Sequence, residues 1–487
     1  MIERKKQFSG GYLLIQILVF ATIATLVISS LVSFSVTNTK LGRRDFYREQ
    51  AFQIAEAGLD YYRWHLAHDR TDFTDGTGSS NPSVHNFYDK DGTLLGTYTL
   101  TITPPPVGST LVKIKSVGIS AADPTVKRTI LYQLAIPSFA KYAFVSNSNM
   151  RFGPGTEVFG PIHSNGGIHF DGLAHNLVTS AVASYDDPDH SGAVEFGVHT
   201  HVNAPPGSGI NNSFRPLEAP PSSVPSRADI FIAGRQFPVP AVDFAGITAN
   251  LSQMKADGQA GGRYFANSGT QGYKIVLKAD DTFDIYKVTS LVSPPSNCTN
   301  VANQTGWSTW SVNATTFVGN FVNPANGLIF VEDRLWVEGQ INSARLTIAS
   351  ARFPDSPTTR TSITVNNNLL YTNYDGTDIL GLIAQGDVNA GMVSANVLRV
   401  DAALISQNGR VGRYYYESDC SPYHSRSAIT LYGMIGSATR YGFAYTDGTG
   451  YTTRNIIYDT HLLYAPPPAF PLTSDQYQVL SWQEVPS

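Results

Sequence analysis

Charge is scarce in this 487-residue chain. Asp, Glu, Lys and Arg make up 15% of it, against roughly 25% in an ordinary soluble domain. The formal net charge is only -4, so there is no basic stripe to neutralise phosphates, and nucleic acid is not an expected partner. Cysteine is scarcer still, with only Cys298 and Cys420. Both sit in polar, turn-like contexts, Ser-Asn-Cys-Thr and Asp-Cys-Ser-Pro. Two readings stay open: one disulfide, if this part of the chain lies outside the cytoplasm, or two unrelated thiols. A bond would contribute up to about 4–5 kcal/mol in the chain-entropy model. Proline is absent from Met1 to Asn81, and Gly42 and Gly58 are the only glycines between the first apolar run and Gly76. Nothing in that span excludes one unbroken helix. No P-loop, dinucleotide fingerprint or G-x-S-x-G motif occurs, which removes the common nucleotide and hydrolase signatures.

In place of charge there are Gly, Ser, Thr and Asn, with 25 Tyr and 25 Phe. That mixture favours strands and turns and is common in surface-facing proteins. The length implies two or three domains.

The amino terminus carries the strongest signal. Arg4, Lys5 and Lys6 lead into Phe8-Ser9-Gly10-Gly11, and an uncharged apolar run extends from Tyr12 to about Val36. It is long enough to cross a hydrocarbon core of about 30 Å as a helix. It is also longer than the core of a secretory signal peptide, and no A-x-A box closes it. Beyond it, Phe52, Ala55, Leu59, Tyr62 and Leu66 form one apolar stripe among Arg48, Glu49, Gln53, Glu56 and Asp60. The pattern predicts one helix from about Tyr12 to Leu66, roughly 80 Å long. Its first half needs lipid or other helices; its second half needs a sheet. Lys40, Arg43, Arg44 and Arg48 balance the leading basic cluster, so charge does not set orientation.

A basic leader, a Gly, an aromatic residue and a long apolar helix together resemble a type IV prepilin start. Ala51-Phe52-Gln53-Ile54-Ala55-Glu56-Ala57-Gly58-Leu59 looks like a segment of minor pilins of the PilX kind. The resemblance implies a leader over residues 1–11, cut between Gly11 and Tyr12 by prepilin peptidase. It also implies a single-pass anchor in the cytoplasmic membrane, an exported carboxyl-terminal bulk, and other pilins as partners of the helix. Most pilins carry Glu at the fifth mature position, where this chain has Gln16. A neutral amide cannot pair with a neighbour's amino terminus, and an unpaired charge in lipid is costly. Minor pilins and pseudopilins of the PilX and GspK kind often lack that Glu, so Gln16 favours a tip or initiating subunit over the filament body. An ordinary transmembrane anchor would give the same apolar run.

Asp69 to about Asp91 reads as a loop. Leu94 to Ile102, Leu111 to Ile119 and Arg128 to Ile136 alternate as strands of a small antiparallel sheet. With the helix they make an α+β head over residues 67–137, as in pilins. From 138 to 487 short apolar runs recur between Gly, Asn and Asp. Examples are Ile168–Phe170, Leu328–Val331, Leu346–Ile348, Gly381–Ala384 and Ile429–Leu431. They predict a large β-rich domain of stacked coils, a parallel β-helix, with a β-sandwich as the alternative. The fold class expected is thus mainly β with a long amino-terminal helix. A proline-rich excursion, a helix over Asp243–Asp257 and a hairpin around Asp280-Asp281 read as an insertion at about 202–290. Gly160-Pro161-Ile162-His163-Ser164-Asn165-Gly166 and the tail around Pro466-Pro467-Pro468 also resemble PilX-like proteins.

Chemistry-bearing residues are few. His163, His169 and His175 recur six apart, with His199 and His201 beyond. His199 and His201 would share one strand face, but no Cys or Glu completes a zinc set at usual spacing. Solvated histidines and no metal are expected. Asp186, Asp187 and Asp189 crowd a turn beside Pro188; EF-hand spacing is absent, so a solvated acidic turn is expected. The rival function is a polysaccharide lyase or hydrolase using Asp387, Arg399 and Asp401, which read better as ladder and turn residues. An adhesin could use Tyr414-Tyr415-Tyr416, or Tyr441 to Tyr451, on a surface glycan. The expectation is a structural pilus or secretion-filament component, with no enzyme activity and no cofactor.

Overall fold

The computed structural model describes residues 10–76, 78, 81–105 and 109–485. The chain divides into two units. One comprises residues up to Pro104, Val112–Leu134 and the segment from Val479 on; the other comprises Pro105–Leu111 and Ala135–Gln478.

The first unit begins with helix α1, Gly10–His68, whose 59 residues run without a break. The absence of proline permits this. Its outer half buries Ala51, Ile54, Ala55, Leu59, Tyr62 and Leu66, each at most 3% exposed. Complete burial of one such large apolar side chain stabilises by about 1.5–3 kcal/mol. The partner is an antiparallel sheet of β1 (Ser83–Tyr88), β2 (Leu94–Thr103), β3 (Val112–Ser120) and β4 (Lys127–Ala135). Leu100, Ile102, Val112, Ile114, Ile130 and Leu134 face its buried side. Close approach needs glycine at two places. A Cβ on Gly58 would lie 2.7 Å from the Tyr98 ring, and one on Gly118 would lie 2.0 Å from the Ala51 carbonyl. The Ser116 hydroxyl donates to the Ala55 carbonyl at 2.8 Å.

Two strands of this sheet differ from expectation. Ser83–Tyr88 lies where a loop is predicted; it is an edge strand with no fully buried residue, so its apolar signal is weak. Gln478–Val485 lies where the large domain is predicted to continue, yet it is the fifth strand, beside β4. Trp482 meets Phe52 edge-on at 5.9 Å, and Glu484 pairs with Arg128. The large unit is therefore inserted between two strands of the first.

The large unit pairs its short strands in parallel. One ladder aligns Ile329, Ile348, Leu382, Leu404, Ile435, Phe144, Ile162 and Val178 in register. All are at most 2% exposed. A β-sandwich is built from antiparallel strands, so this ladder is not that alternative. The order is not the chain order. Phe144–Ser146 sits in the middle, between Ile162–Ser164 and the end of Ser425–Ser437. One arm winds outward to Arg235–Gln236; the other begins at Arg263–Phe265 and winds back.

Between the two arms lies α2, Ile247–Ala260. Its expected apolar stripe, with Phe244, is buried against Phe330, Ala349, Ile383 and Ile405. The ladder is therefore covered on both faces, which explains its continuous apolar runs. The expected start at Asp243 shifts to Ile247, although Asp243 Oδ1 still accepts from the Gly246 N–H at 2.9 Å. The insertion proposed for 202–290 is also narrower. Arg263–Phe265 and Gly272–Leu277 pair in parallel with later strands, and Gly272–Leu277, Thr282–Leu291 and Val312–Val322 pair antiparallel in succession.

Candidate functional site

Two places in the molecule carry features beyond folding. The first is the inner half of α1. From Tyr12 to Leu41 every residue is exposed, and an 18-residue window reaches a mean hydropathy of 2.4 with none of it buried. By length and composition this helix can cross a membrane. Gln16 is exposed on that apolar surface. The bond between Gly11 and Tyr12 lies within α1. Residues 1–9 of the expected leader lie outside the described residues.

The second place is a buried cluster in the large unit. Strand Ile168–Phe170 supplies His169, the turn after Tyr185 supplies Asp187 and His190, Glu195–Phe196 supplies Glu195, and Val198–His199 supplies His199. His201 follows two residues on. His169, Asp187, Glu195, His199 and His201 are at most 2% exposed. Three ring nitrogens converge on Glu195 Oε2: Nε2 of His190 at 2.8 Å, of His199 at 3.1 Å and of His201 at 3.2 Å. Asp187 Oδ2 lies 3.4 Å from His199 Nε2 and 3.6 Å from His190 Nε2. It also lies 2.7 Å from His169 Nδ1.

Proximity and bonding part company here. Asp187 Oδ2 and His169 Nδ1 are buried as an ion pair 2.7 Å apart, while His199 Nε2 is buried with no aligned hydrogen-bond partner. The surrounding atoms are well held. Glu195 Oε1 accepts the Arg215 N–H at 2.8 Å, and Asp187 Oδ1 accepts the Asp189 N–H at 3.0 Å. Asp171 bonds His169 Nε2 at 2.8 Å and accepts the His201 N–H at 2.8 Å. Burial would raise the Glu195 carboxyl, but the His201 and His199 rings outweigh it and bring its pKa to about 2. Burial would lower the His169 imidazole, but Asp171 and Asp187 hold it up at about 9. The His201 imidazole is pushed down, chiefly by burial.

These positions correct the expectation of solvated histidines and of a solvated acidic turn. His169, His199 and His201 come together with Asp187, while His163 bonds Thr179 and Asn165, and His175 bonds Glu157. Asp189 pairs with Arg440 at 3.0 Å and keeps a carboxylate oxygen within 4.8 Å of donor atoms of His169 and Asp187. Sequence reasoning passed over His190, Glu195 and Asp171. The signal was present in the density of donors in Asp187-x2-His190-x4-Glu195-x3-His199-x-His201.

The other candidates resolve differently. Cys298 and Cys420 are joined in a disulfide, with Cα atoms 4.5 Å apart. Asp401 is fully buried and accepts from Arg399, Tyr371 and Tyr374, while Asp387 accepts from the Arg410 N–H and Tyr414 hydroxyl. Tyr414, Tyr416 and Tyr451 are core residues at most 5% exposed; Tyr416 and Tyr451 stack on the buried Arg413 guanidinium. These three are closed to a ligand, while Tyr415, Tyr441 and Tyr445 in the same stretches are half-buried.

No family model and no curated protein matches the chain. A solved structure does. The chain is similar to the competence-associated pilin ComZ from Thermus thermophilus, at 14% identity and a TM-score of 0.30, over 90% of this chain and 97% of that one. At that score the two chains share too little geometry for one to inform the other.

Proposed function

We propose that this protein is a membrane-anchored structural subunit of a type IV pilus or related secretion filament, of the minor-pilin kind. The observation that carries the reading is α1 itself. One helix presents a bare apolar half and continues into a half sealed by an antiparallel sheet. An unsatisfied apolar rod joined rigidly to a folded head suits a subunit that is held in lipid and then packed among similar helices. The resemblance of the first residues to a prepilin start adds a leader cut between Gly11 and Tyr12 by prepilin peptidase, and export of the bulk. Gln16 and the large inserted unit, which we read as a parallel β-helix, favour the filament tip over the shaft. The Cys298–Cys420 disulfide fits an oxidising compartment outside the cytoplasm. The oxygens of Asp387 and Asp401 are taken up by structural hydrogen bonds, which supports a structural role over a glycan-active enzyme.

The test is the amino-terminal residue of the native protein, read by mass spectrometry. The expected mature chain starts at Tyr12, and a Gly11→Ala variant keeps its leader. A native chain retaining Met1 to Gly11, recovered without detergent, overturns the proposal.

A further inference from the structure

The buried cluster carries more than a packing role. We propose that Asp187, His190, Glu195, His199 and His201 form a binding site for one divalent transition-metal ion of the zinc class, and that this ion is a structural clasp of the large unit. The inference is independent of the pilin reading.

The argument starts with spacing. One donor atom from each of these five residues lies within 4.8 Å of all the others. The separations between nitrogen and oxygen donors run 2.8, 3.1, 3.2, 3.4 and 3.6 Å. Around an ion bound at about 2.1 Å, neighbouring ligands sit about 3.0 Å apart in octahedral geometry and about 3.4 Å apart in tetrahedral geometry. The cluster spans those values.

Satisfaction points the same way. A carboxylate oxygen cannot accept well from three ring N–H groups at once, yet three Nε2 atoms crowd Glu195 Oε2. His199 Nε2 has no hydrogen-bond partner although it is buried, and Asp187 Oδ2 has only the ion pair with His169 Nδ1 at 2.7 Å. Orphaned polar atoms inside a protein cost free energy. An ion bound by ring nitrogens and carboxylate oxygens would satisfy them together.

Charge is the third observation. Among the described residues every ion-pair partner of Asp171, Asp187 and Glu195 is a histidine. Three buried carboxylates with no Lys or Arg within ion-pair distance favour a bound cation.

Imidazole and carboxylate ligands suit zinc, and also nickel, copper and iron(II). Calcium and magnesium prefer all-oxygen sets. The set contains no thiolate, and both cysteines are already in the disulfide, so the site remains competent where thiols are oxidised. The outer contacts follow the usual pattern of a metal centre. His199 Nδ1 lies 3.3 Å from the Phe196 carbonyl and His190 Nδ1 lies 3.3 Å from the Ser191 carbonyl.

The location explains the need. Ser184–Tyr185, Glu195–Phe196 and Val198–His199 are strands of only two residues each. Such strands make few ladder bonds. An ion tying the turn after Tyr185 to the stretch 195–201 would supply cross-links that the backbone does not.

The full-length protein in detergent, stripped with a chelator, is incubated with Zn²⁺, desalted and assayed for metal by mass spectrometry. Wild type and a His175→Ala control, altered outside the cluster, are expected to retain one zinc per chain. His199→Ala and Glu195→Gln should retain none. Circular dichroism distinguishes lost binding from lost folding. Should His199→Ala unfold, Glu195→Gln, which keeps the shape, and the Co²⁺ spectrum of wild type decide: visible d–d bands that Zn²⁺ abolishes are expected. Folded wild type that keeps no zinc and gives no cobalt spectrum overturns the proposal. Retention unchanged in Glu195→Gln and His199→Ala overturns it equally.

Discussion

The two halves of α1 hold the same residue types in opposite environments. Leu26 is 70% exposed and Ile28 61%, while Leu66 and Ile54 are fully buried. Helix geometry is common to both, and hydrophobicity does not separate these pairs. The difference is that β2 and β3 reach the outer half and no described element reaches the inner half. The inner half therefore advertises an environment outside the chain, and the outer half a contact inside it.

Four experiments can break or sharpen that contrast. The largest effect is expected from deleting residues 1–41. The shortened chain should remain in the supernatant after ultracentrifugation without detergent, while the full chain sediments with membranes. Second, Leu59→Ala should lower head stability by about 2–5 kcal/mol, whereas Leu26→Ala should change it by less than about 0.5 kcal/mol. Urea unfolding in detergent, followed by the emission of Trp482 in a background where Trp64, Trp307, Trp310 and Trp336 are replaced by Phe, measures both. Third, Ile23→Lys should cost about 2.5–3.5 kcal/mol in membrane insertion, read from an insertion reporter, and leave the urea midpoint of the head unchanged. The smallest effect is at the glycines. Gly58→Val places atoms against Tyr98 and Ser116 and should cost about 1–3 kcal/mol. A Cβ at Gly42 meets nothing within 4 Å, so Gly42→Val should be neutral or stabilise by about a few tenths of a kcal/mol, because Val is a better helix former than Gly. Equal effects at Gly58 and Gly42 would contradict the docking described here.

Legibility followed contact distance along the chain. Local periodicity located α1, β2, β3, β4 and the stripe of Phe244, Ile247, Leu251 and Met254, because each buries a face repeated at a fixed interval. Ser83–Tyr88 escaped because an edge strand is only half covered and tolerates His85 and Asn86. Gln478–Val485 escaped because its partner, β4, lies over 340 residues earlier in the chain, and pairing at that range leaves no local mark. The histidine cluster was half visible. His199 and His201 were singled out, and so was Asp187, but they were weighed apart. His190 and Glu195 drew no notice, since a single His or Glu in a turn is ordinarily solvated.

Sequence by itself determined the rod: an uninterrupted helical pattern, free of proline, whose apolar surface changes from all-round to one-sided. It also determined that the remainder is strand-rich, because short apolar runs between Gly, Asn and Asp can bury themselves only by pairing. Only the tertiary structure decided which strands are neighbours, that the first coil sits mid-ladder, that the last strand returns to the head, and that Cys298 meets Cys420. Those are long-range closures. Each depends on where the chain returns in space, which residue spacing does not encode.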